Sequence, residues 1–164
     1  MNKTLEKLKK IHDLCISNNL TISTAESCTG GSIAKYLTDN TNSSHYFKGS
    51  IIAYSNEVKT KILRIPHDKI KKHGAVSREV AISMASGVLK IINSDIAISV
   101  TGIMEKSDDQ SGKNTQVFIS IKSLKNEDIF HFSLDGNRDA NREKTVYHAF
   151  CCLYDFINKH YLLS

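Results

Sequence analysis

The order of the sequence patterns predicts a single three-layer α/β/α domain with a mixed β-sheet. Helical patterns separate the three earlier strand patterns, which favours parallel strands joined through helices. Two later strand patterns follow each other directly, as in an antiparallel hairpin. The 164 residues are enough for one domain with a real hydrophobic core. We therefore expect one domain over residues 1–164, with helices on both faces of the sheet.

The first half of the chain alternates helix and strand patterns. Residues 4–17 carry apolar positions at helical spacing with lysines opposite, which predicts a helix over one sheet face. Residues 21–25 predict a short strand, and a Gly-Gly turn leads into a helix that ends near residue 39. Residues 47–54 predict the second strand. Ser55 is a candidate N-cap for the helix that follows it.

The second half contains the most apolar strand and the hairpin. Ser77 is a candidate cap for a helix over residues 78–92, whose predicted apolar face is Val80, Ala81, Met84, Val88 and Ile91. Residues 95–101 are nearly all apolar, which predicts a central strand. Residues 104–114 are polar without a pattern and predict a surface loop. A hairpin over 116–122 and 129–134 and a long helix over 138–161 complete the fold.

Composition narrows the classes of partner. The net charge is +5 and the pI is near 9.0, but the lysine clusters at residues 7–10 and 69–72 lie beside apolar residues at helical spacing. This pattern is typical of solvent-facing helix surfaces, and basic residues do not alternate with aromatic ones, so we expect no nucleic-acid partner. No apolar run has membrane-spanning length. We expect a cytoplasmic protein that makes no contact with a membrane.

Cysteine and histidine spacing argues against a metal site. The four cysteines form no C-x-x-C pair, and the seven histidines form no H-x-H or H-x-x-x-H pair. A disulfide framework or a zinc site needs such spacing or a secreted context. We expect no metal.

The candidate site lies where the loops after the first, second and third strands meet, since ligands gather at the carboxyl ends of parallel strands. The first of these loops carries Ser27, Cys28, Thr29, Gly30 and Gly31 to a helix N-terminus. Backbone N–H groups and the helix dipole there can hold a phosphate or a carboxylate. Alternatively, a hydroxyl only caps the helix and the glycines only shape the turn.

Two basic segments offer further chemistry. Lys59 lies one turn into the helix after the second strand, and a desolvated lysine can act as the base that activates a serine on a nearby loop. It could equally be a solvated helix lysine. Arg138 and Arg142 surround a later helix start, where an arginine fork suits a phosphate or carboxylate. Ion pairs with the neighbouring Asp135 and Asp139 are the alternative.

Five separated stretches share one resemblance. They are T-A-E-S-C-T-G-G (24–31), Y-S-N-E-V-K (54–59), H-G-A-V-S (73–77), S-V-T-G-I (99–103) and G-N-R-D-A-N-R (136–142). In order and spacing they resemble the CinA C-terminal domain family, whose stand-alone members are nicotinamide-nucleotide amidohydrolases. The resemblance spans nearly the whole chain. It implies an anticodon-binding-domain-like α/β/α fold with a mixed sheet, in agreement with the predicted elements.

The resemblance also implies a reaction and its residues. Nicotinamide mononucleotide and water would give nicotinate mononucleotide and ammonia, without a metal or other cofactor, in a homo-oligomer. Ser44 would be the nucleophile, with Ser27 the next candidate. Lys59 would be the base, Tyr54 would assist, and Arg138 would hold the substrate or lower the pKa of Lys59 by like-charge repulsion. The expected substrate-binding residues are Ser27, Cys28, Thr29, Gly30, Gly31, Asn56, Thr101, Gly102 and Arg142.

One stretch departs from the family pattern. After T-G-I the family continues A-G-P-x-G-G and later K-P-V-G-T-V, whereas this chain has Met104 and Glu105 and then N-T-Q at residues 114–116. Side chains stand here where bare backbone could approach a ligand. The alternative to an amidohydrolase is a nucleotide-binding or assembly module that has kept the fold and lost turnover.

Overall fold

The computed structural model describes residues 3–105 and 115–162. Helices and strands alternate through the first half of the chain, and a hairpin and one long helix close it. The helices are α1 (Lys3–Ser17), α2 (Ser32–Thr38), α3 (Asn56–Lys61), α4 (His67–His73), α5 (Arg78–Ile92) and α6 (Arg138–Ile157). The strands are β1 (Ile22–Glu26), β2 (Phe47–Ile52), β3 (Ile96–Ile103), β4 (Gln116–Lys122) and β5 (Glu127–Ser133). A 3-10 turn spans Ser43–His45, and a π-helical turn spans Asn158–Leu162.

The five strands form one mixed sheet in the order β2-β1-β3-β4-β5. Strand β1 pairs in parallel with β2 and β3, while β4 runs antiparallel to both β3 and β5. Strand β3 is in the middle, and its residues 96–101 are all buried, as the apolar run predicted. The mixed sheet and the central strand are therefore confirmed.

Helices cover both faces of the sheet, which confirms the three layers. One face packs against α1, α2 and α6 through a core that includes Leu8, Ile11, Ile33, Leu37, Val146, Phe150, Ile22, Ile98 and Ile119. The other face packs against α4 and α5 through Ala25, Ile70, Val80, Met84, Val88 and Ala97. Ile91 does not lie on this apolar face as expected: it is 47% exposed, because the packed stripe of α5 continues through Leu89 and Ile92.

Local caps begin the two helices that follow the loops of interest. The Ser55 hydroxyl accepts a hydrogen bond from the Val58 N–H at the start of α3, and the Ser77 hydroxyl accepts one from Val80 at the start of α5. Both predicted caps are confirmed. The Ser55 cap begins α3 directly after β2, and the Ser77 cap begins α5 shortly after α4. Within residues 3–105 and 115–162, no helix is both long and apolar enough to cross a bilayer.

Candidate active site

A cavity of about 280 Å³ opens at the carboxyl ends of β1, β2 and β3. Its walls include eight of the residues expected to form a site: Ser27, Cys28, Tyr54, Asn56, Lys59, Thr101, Gly102 and Arg138. They come from the three strand-end loops and from the start of α6. The parallel direction of the three strands brings these loops together, as the sequence predicted.

Lys59 is a buried lysine in the lining of this cavity. It lies on α3 and is only 1% exposed, so the solvated-lysine alternative is wrong. Its ammonium nitrogen donates to Ser27 Oγ at 3.0 Å, to the Ala53 carbonyl at 2.7 Å and to the Tyr54 carbonyl at 3.2 Å. A buried cation with three acceptors is satisfied, and one of those acceptors is a side-chain hydroxyl that can lose a proton.

Burial sets the proton affinity of Lys59. Desolvation disfavours the charged form and lowers the pKa of Lys59, while the nearby Cys28 thiol acts weakly in the opposite direction. Repulsion by Arg138, which the sequence suggested, is not the cause. The guanidinium of Arg138 donates to the Tyr54 hydroxyl at 3.0 Å instead.

The three acceptors also orient the amine. The carbonyl oxygens of Ala53 and Tyr54 can only accept, so they hold two of its N–H bonds. The third direction faces the hydroxyl of Ser27, which is 8% exposed. When the amine is neutral, its lone pair faces that hydroxyl. This arrangement can remove a proton from Ser27.

Ser44 does not meet Lys59, which corrects the expected pair. Ser44 lies in the 3-10 turn that precedes β2, whereas Lys59 lies in the helix that follows β2. The six residues of β2 separate the two ends by about 20 Å at 3.3 Å per residue. Ser44 is exposed at the amino ends of the parallel strands. The serine beside Lys59 is Ser27.

The start of α2 is occupied by a side chain of the protein itself. The Glu26 carboxylate accepts hydrogen bonds from the backbone N–H groups of Gly31, Ile33 and Ala34 and from the Thr29 hydroxyl. The expected phosphate cradle at Thr29, Gly30 and Gly31 is therefore wrong, because the donors already bind an anion. The sequence analysis missed Glu26, although a carboxylate just before a Gly-Gly helix start was a usable signal.

Arg138 and Tyr54 form the exposed side of the site. Asn137 caps α6 by accepting from the Ala140 N–H, which places Arg138 in the first turn of the helix. Tyr54 is 63% exposed and Arg138 is exposed as well, so this pair faces solvent at the cavity. Arg142 does not line the cavity: its Nη1 lies 3.7 Å from the Asp139 carboxylate, the ion pair that the sequence left as an alternative.

Three further predicted residues are explained by packing. Burial raises the pKa of the Cys28 thiol to about 12, so the thiol stays protonated. The Thr101 hydroxyl donates to the Ala75 carbonyl at 2.8 Å. A Cβ at Gly102 would lie 2.6 Å from the Gln116 carbonyl oxygen, so the pairing of β3 with β4 requires glycine there.

The altered segment begins inside the described part of the chain. Met104 is 3% exposed, and its carbonyl accepts from the Asn141 side-chain amide at 2.8 Å. Glu105 is exposed and lines the cavity. Residues 106–114 lie outside the described residues, whereas Thr115 is buried and Gln116 begins β4. Elsewhere in the described chain, no three His, Cys, Asp or Glu side chains come together as a metal site.

Comparison with protein families gives a match along most of the chain. The model of the CinA C-terminal domain matches residues 4–157. A CinA-like protein of Endomicrobium trichonymphae is 43% identical over 134 residues, which are 81% of this chain and 31% of that protein. A putative competence-damage inducible protein of Bacillus subtilis is 35% identical over 137 residues, 84% of this chain and 33% of that protein. The chain thus spans about a third of the length of these relatives.

Two solved structures share the fold over their whole length. The competence damage-inducible protein A of Klebsiella pneumoniae has a TM-score of 0.92 and 25% identity, with 98% of this chain and 99% of that chain covered. The competence/damage inducible protein of Agrobacterium tumefaciens has a TM-score of 0.86 and 30% identity, with 93% and 94% covered. The five-stranded mixed sheet with its flanking helices is the fold of these proteins.

Proposed function

Because the chain belongs to the CinA C-terminal domain family, we propose that it is an amidohydrolase that converts nicotinamide mononucleotide and water to nicotinate mononucleotide and ammonia. The observation that supports this most is the contact of Lys59 Nζ with Ser27 Oγ at 3.0 Å in the strand-end cavity. A serine beside a buried amine of lowered pKa is a nucleophile with its base.

The first half of the proposed reaction forms an ester on Ser27. The neutral amine of Lys59 takes the hydroxyl proton while Ser27 Oγ bonds to the carboxamide carbon. The Cys28 N–H, which is not among the donors that bind Glu26, is the proposed hydrogen-bond donor to the negative oxygen of the tetrahedral intermediate. The C–N bond then breaks, and Lys59 gives the proton to the leaving nitrogen, which departs as ammonia.

The second half returns the enzyme to its starting state. Water attacks the carbonyl carbon of the ester, and Lys59 again accepts a proton, this time from the water. The bond to Ser27 Oγ breaks as the proton returns to that oxygen, and the carboxylate product leaves. One amide and one water are consumed, and one carboxylate, one ammonia and one proton are released, which is equivalent to a carboxylate and an ammonium ion.

The exposed side of the cavity is the proposed contact for the rest of the substrate. The guanidinium of Arg138 can bind an anionic group through two parallel N–H donors. Its bond to the Tyr54 hydroxyl holds the guanidinium over the opening, where Asn56 also lies. Because the Glu26 carboxylate already binds the backbone N–H groups at the N-terminus of α2, Arg138 is the candidate residue for binding the phosphate of the substrate.

The direct test is hydrolysis of nicotinamide mononucleotide by the purified protein. We expect ammonia and nicotinate mononucleotide in equal amounts, measured by a coupled ammonia assay and by chromatography of the nucleotide. No product from folded protein, as judged by circular dichroism, would overturn the proposal. A homo-oligomer belongs to the same proposal and is tested by light scattering of the same sample.

Glu105 favours a second candidate, a nucleotide-binding module without turnover. Its carboxylate adds negative charge to the cavity where the family pattern has glycine. Such a module would show a higher melting temperature with nicotinamide mononucleotide and release no ammonia. Release of ammonia would reject it.

A further inference from the structure

Glu26 is a fully buried acidic residue directly before the candidate nucleophile, Ser27. It is the last residue of β1, it is 0% exposed, and Ser27 follows it directly. Burying an ionised carboxylate is costly unless hydrogen bonds replace the lost water. Packing alone does not explain a buried carboxylate directly before the 27–31 turn, since an apolar residue would be buried there at a lower cost in free energy.

Five donors surround this carboxylate. Oε2 accepts from the Thr29 hydroxyl at 2.7 Å, from the Gly31 N–H at 3.0 Å and from the Ile33 N–H at 3.1 Å. Oε1 accepts from the Ala34 N–H at 2.8 Å and from the Thr24 hydroxyl at 3.3 Å. The donors precede and follow Ser27 in the chain. The carboxylate therefore ties both ends of the 27–31 turn to one point.

The backbone of Glu26 connects this turn to the base. Its carbonyl accepts from the Ala53 N–H at 2.7 Å, and the Ala53 carbonyl is one of the three acceptors that hold Lys59. On the other side, the Ser27 N–H donates to the Val100 carbonyl of β3 at 3.0 Å. The turn with the nucleophile and the segment with the base are thus joined through one residue.

Strand alternation explains how Glu26 can do this without entering the cavity. Successive side chains of a strand point to opposite faces. The Glu26 side chain points to the α2 layer, and the next side chain, Ser27, points to Lys59 on the other face. Glu26 is also absent from the residues that line the cavity.

We propose that Glu26 is a positioning residue: its buried carboxylate holds the 27–31 turn so that Ser27 Oγ stays within hydrogen-bond reach of Lys59 Nζ. This inference rests on the proposed roles of Ser27 and Lys59. In this proposal Glu26 does not contact substrate. The N-terminus of α2 binds the Glu26 carboxylate and thereby positions Ser27, and it does not bind a ligand.

The test compares Glu26→Gln with a control that weakens the same helix elsewhere. Glutamine keeps the shape but turns an amide NH₂ toward donors, so the turn must shift. We expect kcat for nicotinamide mononucleotide to fall about a hundredfold with KM within twofold, because a displacement of about 1 Å has that effect on a reacting pair. Lys35→Gly, at an exposed position of α2, should lower the melting temperature by about 2–4 °C and leave kcat unchanged.

A second variant covers a failure of Glu26→Gln to fold. Glu26→Asp keeps both acceptor oxygens on a side chain one methylene shorter, and we expect a smaller loss of kcat, about tenfold, again at unchanged KM. A kcat within twofold of the parent in either folded Glu26 variant would overturn the proposal. So would an equal loss of kcat in Lys35→Gly, since Glu26 would then only stabilise the helix.

Covalent labelling separates this proposal from the choice of substrate. A fluorophosphonate forms an O–P bond with an activated serine and loses fluoride, and mass spectrometry identifies the modified residue. If the parent leaves nicotinamide mononucleotide intact but is labelled at Ser27, the proposed substrate fails, and the labelling rate still tests Glu26. We expect that rate to fall about a hundredfold in Glu26→Gln and to stay unchanged in Lys35→Gly. A parent that is not labelled at Ser27 would overturn the role of Glu26.

Discussion

Two serine-bearing turns lie at opposite ends of the parallel strands and differ in every respect that matters for chemistry. Ser27 follows β1, is 8% exposed and touches a buried lysine. Ser44 precedes β2, is exposed, and lies in a turn with no buried residue. Sequence resemblance favoured the second serine, and the tertiary structure brings the first one to Lys59.

The difference shows what brings a serine into contact with a buried lysine in this fold. Position in the chain is a poor guide, since Ser44 is nearer to Lys59 in sequence than Ser27 is. The end of the strands at which a serine lies determines whether it meets Lys59. The residues after the parallel strands meet at the carboxyl ends, and the residues before them meet at the amino ends. The buried edge also removes water from Lys59, which lowers its pKa.

The largest effect we predict separates the two serines. Ser27→Ala should lower kcat for nicotinamide mononucleotide by about 10³-fold or more, because the attacking oxygen is lost. Ser44→Ala should keep kcat and KM within twofold. Initial rates of ammonia release measure both. If Ser44→Ala were inactive and Ser27→Ala were active, the nucleophile would be Ser44, at the amino ends of the strands.

The second prediction compares two lysines on α3. Lys59→Met should lower kcat by about 10²- to 10⁴-fold with an unchanged circular dichroism spectrum, because methionine fills the site without a base. Lys61→Met is the matched control: Lys61 is exposed and pairs with Glu57, so its loss should leave kcat unchanged. Near-normal turnover in folded Lys59→Met would remove the Ser27–Lys59 pair from the mechanism.

The third prediction concerns pH. Neutral Lys59 is the active form, so kcat/KM should rise about tenfold per pH unit until it levels off at the pKa of Lys59, below the ordinary value of about 10.4. The free energy of unfolding changes with pH in the same direction as kcat/KM. Between the lowered folded pKa and the unfolded pKa the unfolded chain binds more protons, so the free energy of unfolding rises with pH there. At pH values below both pKa values Lys59 is charged in the folded and unfolded states, and the full cost of burying that charge lowers the free energy of unfolding. Both rises should be absent in Lys59→Met, as measured by rate profiles and urea titrations.

The smallest effect concerns the exposed rim of the same site. Tyr54→Phe removes the hydroxyl that accepts from Arg138, and we expect kcat/KM to fall roughly 5- to 10-fold, which corresponds to the net contribution of one typical hydrogen bond, about 1 kcal/mol. Tyr36→Phe removes a comparable tyrosine contact, with Glu143 on α6, and neither of these residues lines the cavity. Its kinetics should match the parent. Equal effects in both variants would show that the Tyr54 contact is not specific to the reaction.

The sequence by itself determined the elements, their order and their caps. Helical and strand periodicity, the caps Ser55 and Ser77 and the central strand are set by residues close together in the chain, so local patterns predict them. The same holds for the position of the candidate cavity at the carboxyl ends of the parallel strands, because this position follows from the alternation of strands and helices.

Only the tertiary structure decided which groups meet there. The burial of Lys59, its contact with Ser27, the Arg138–Tyr54 bond and the filling of the α2 start by Glu26 join residues up to 84 positions apart or on different layers. Their distances depend on how far the strands run and which face each side chain takes. A serine near a lysine in sequence can therefore lie at the opposite end of a strand about 20 Å long, while a serine distant in sequence is the hydrogen-bond partner of that lysine.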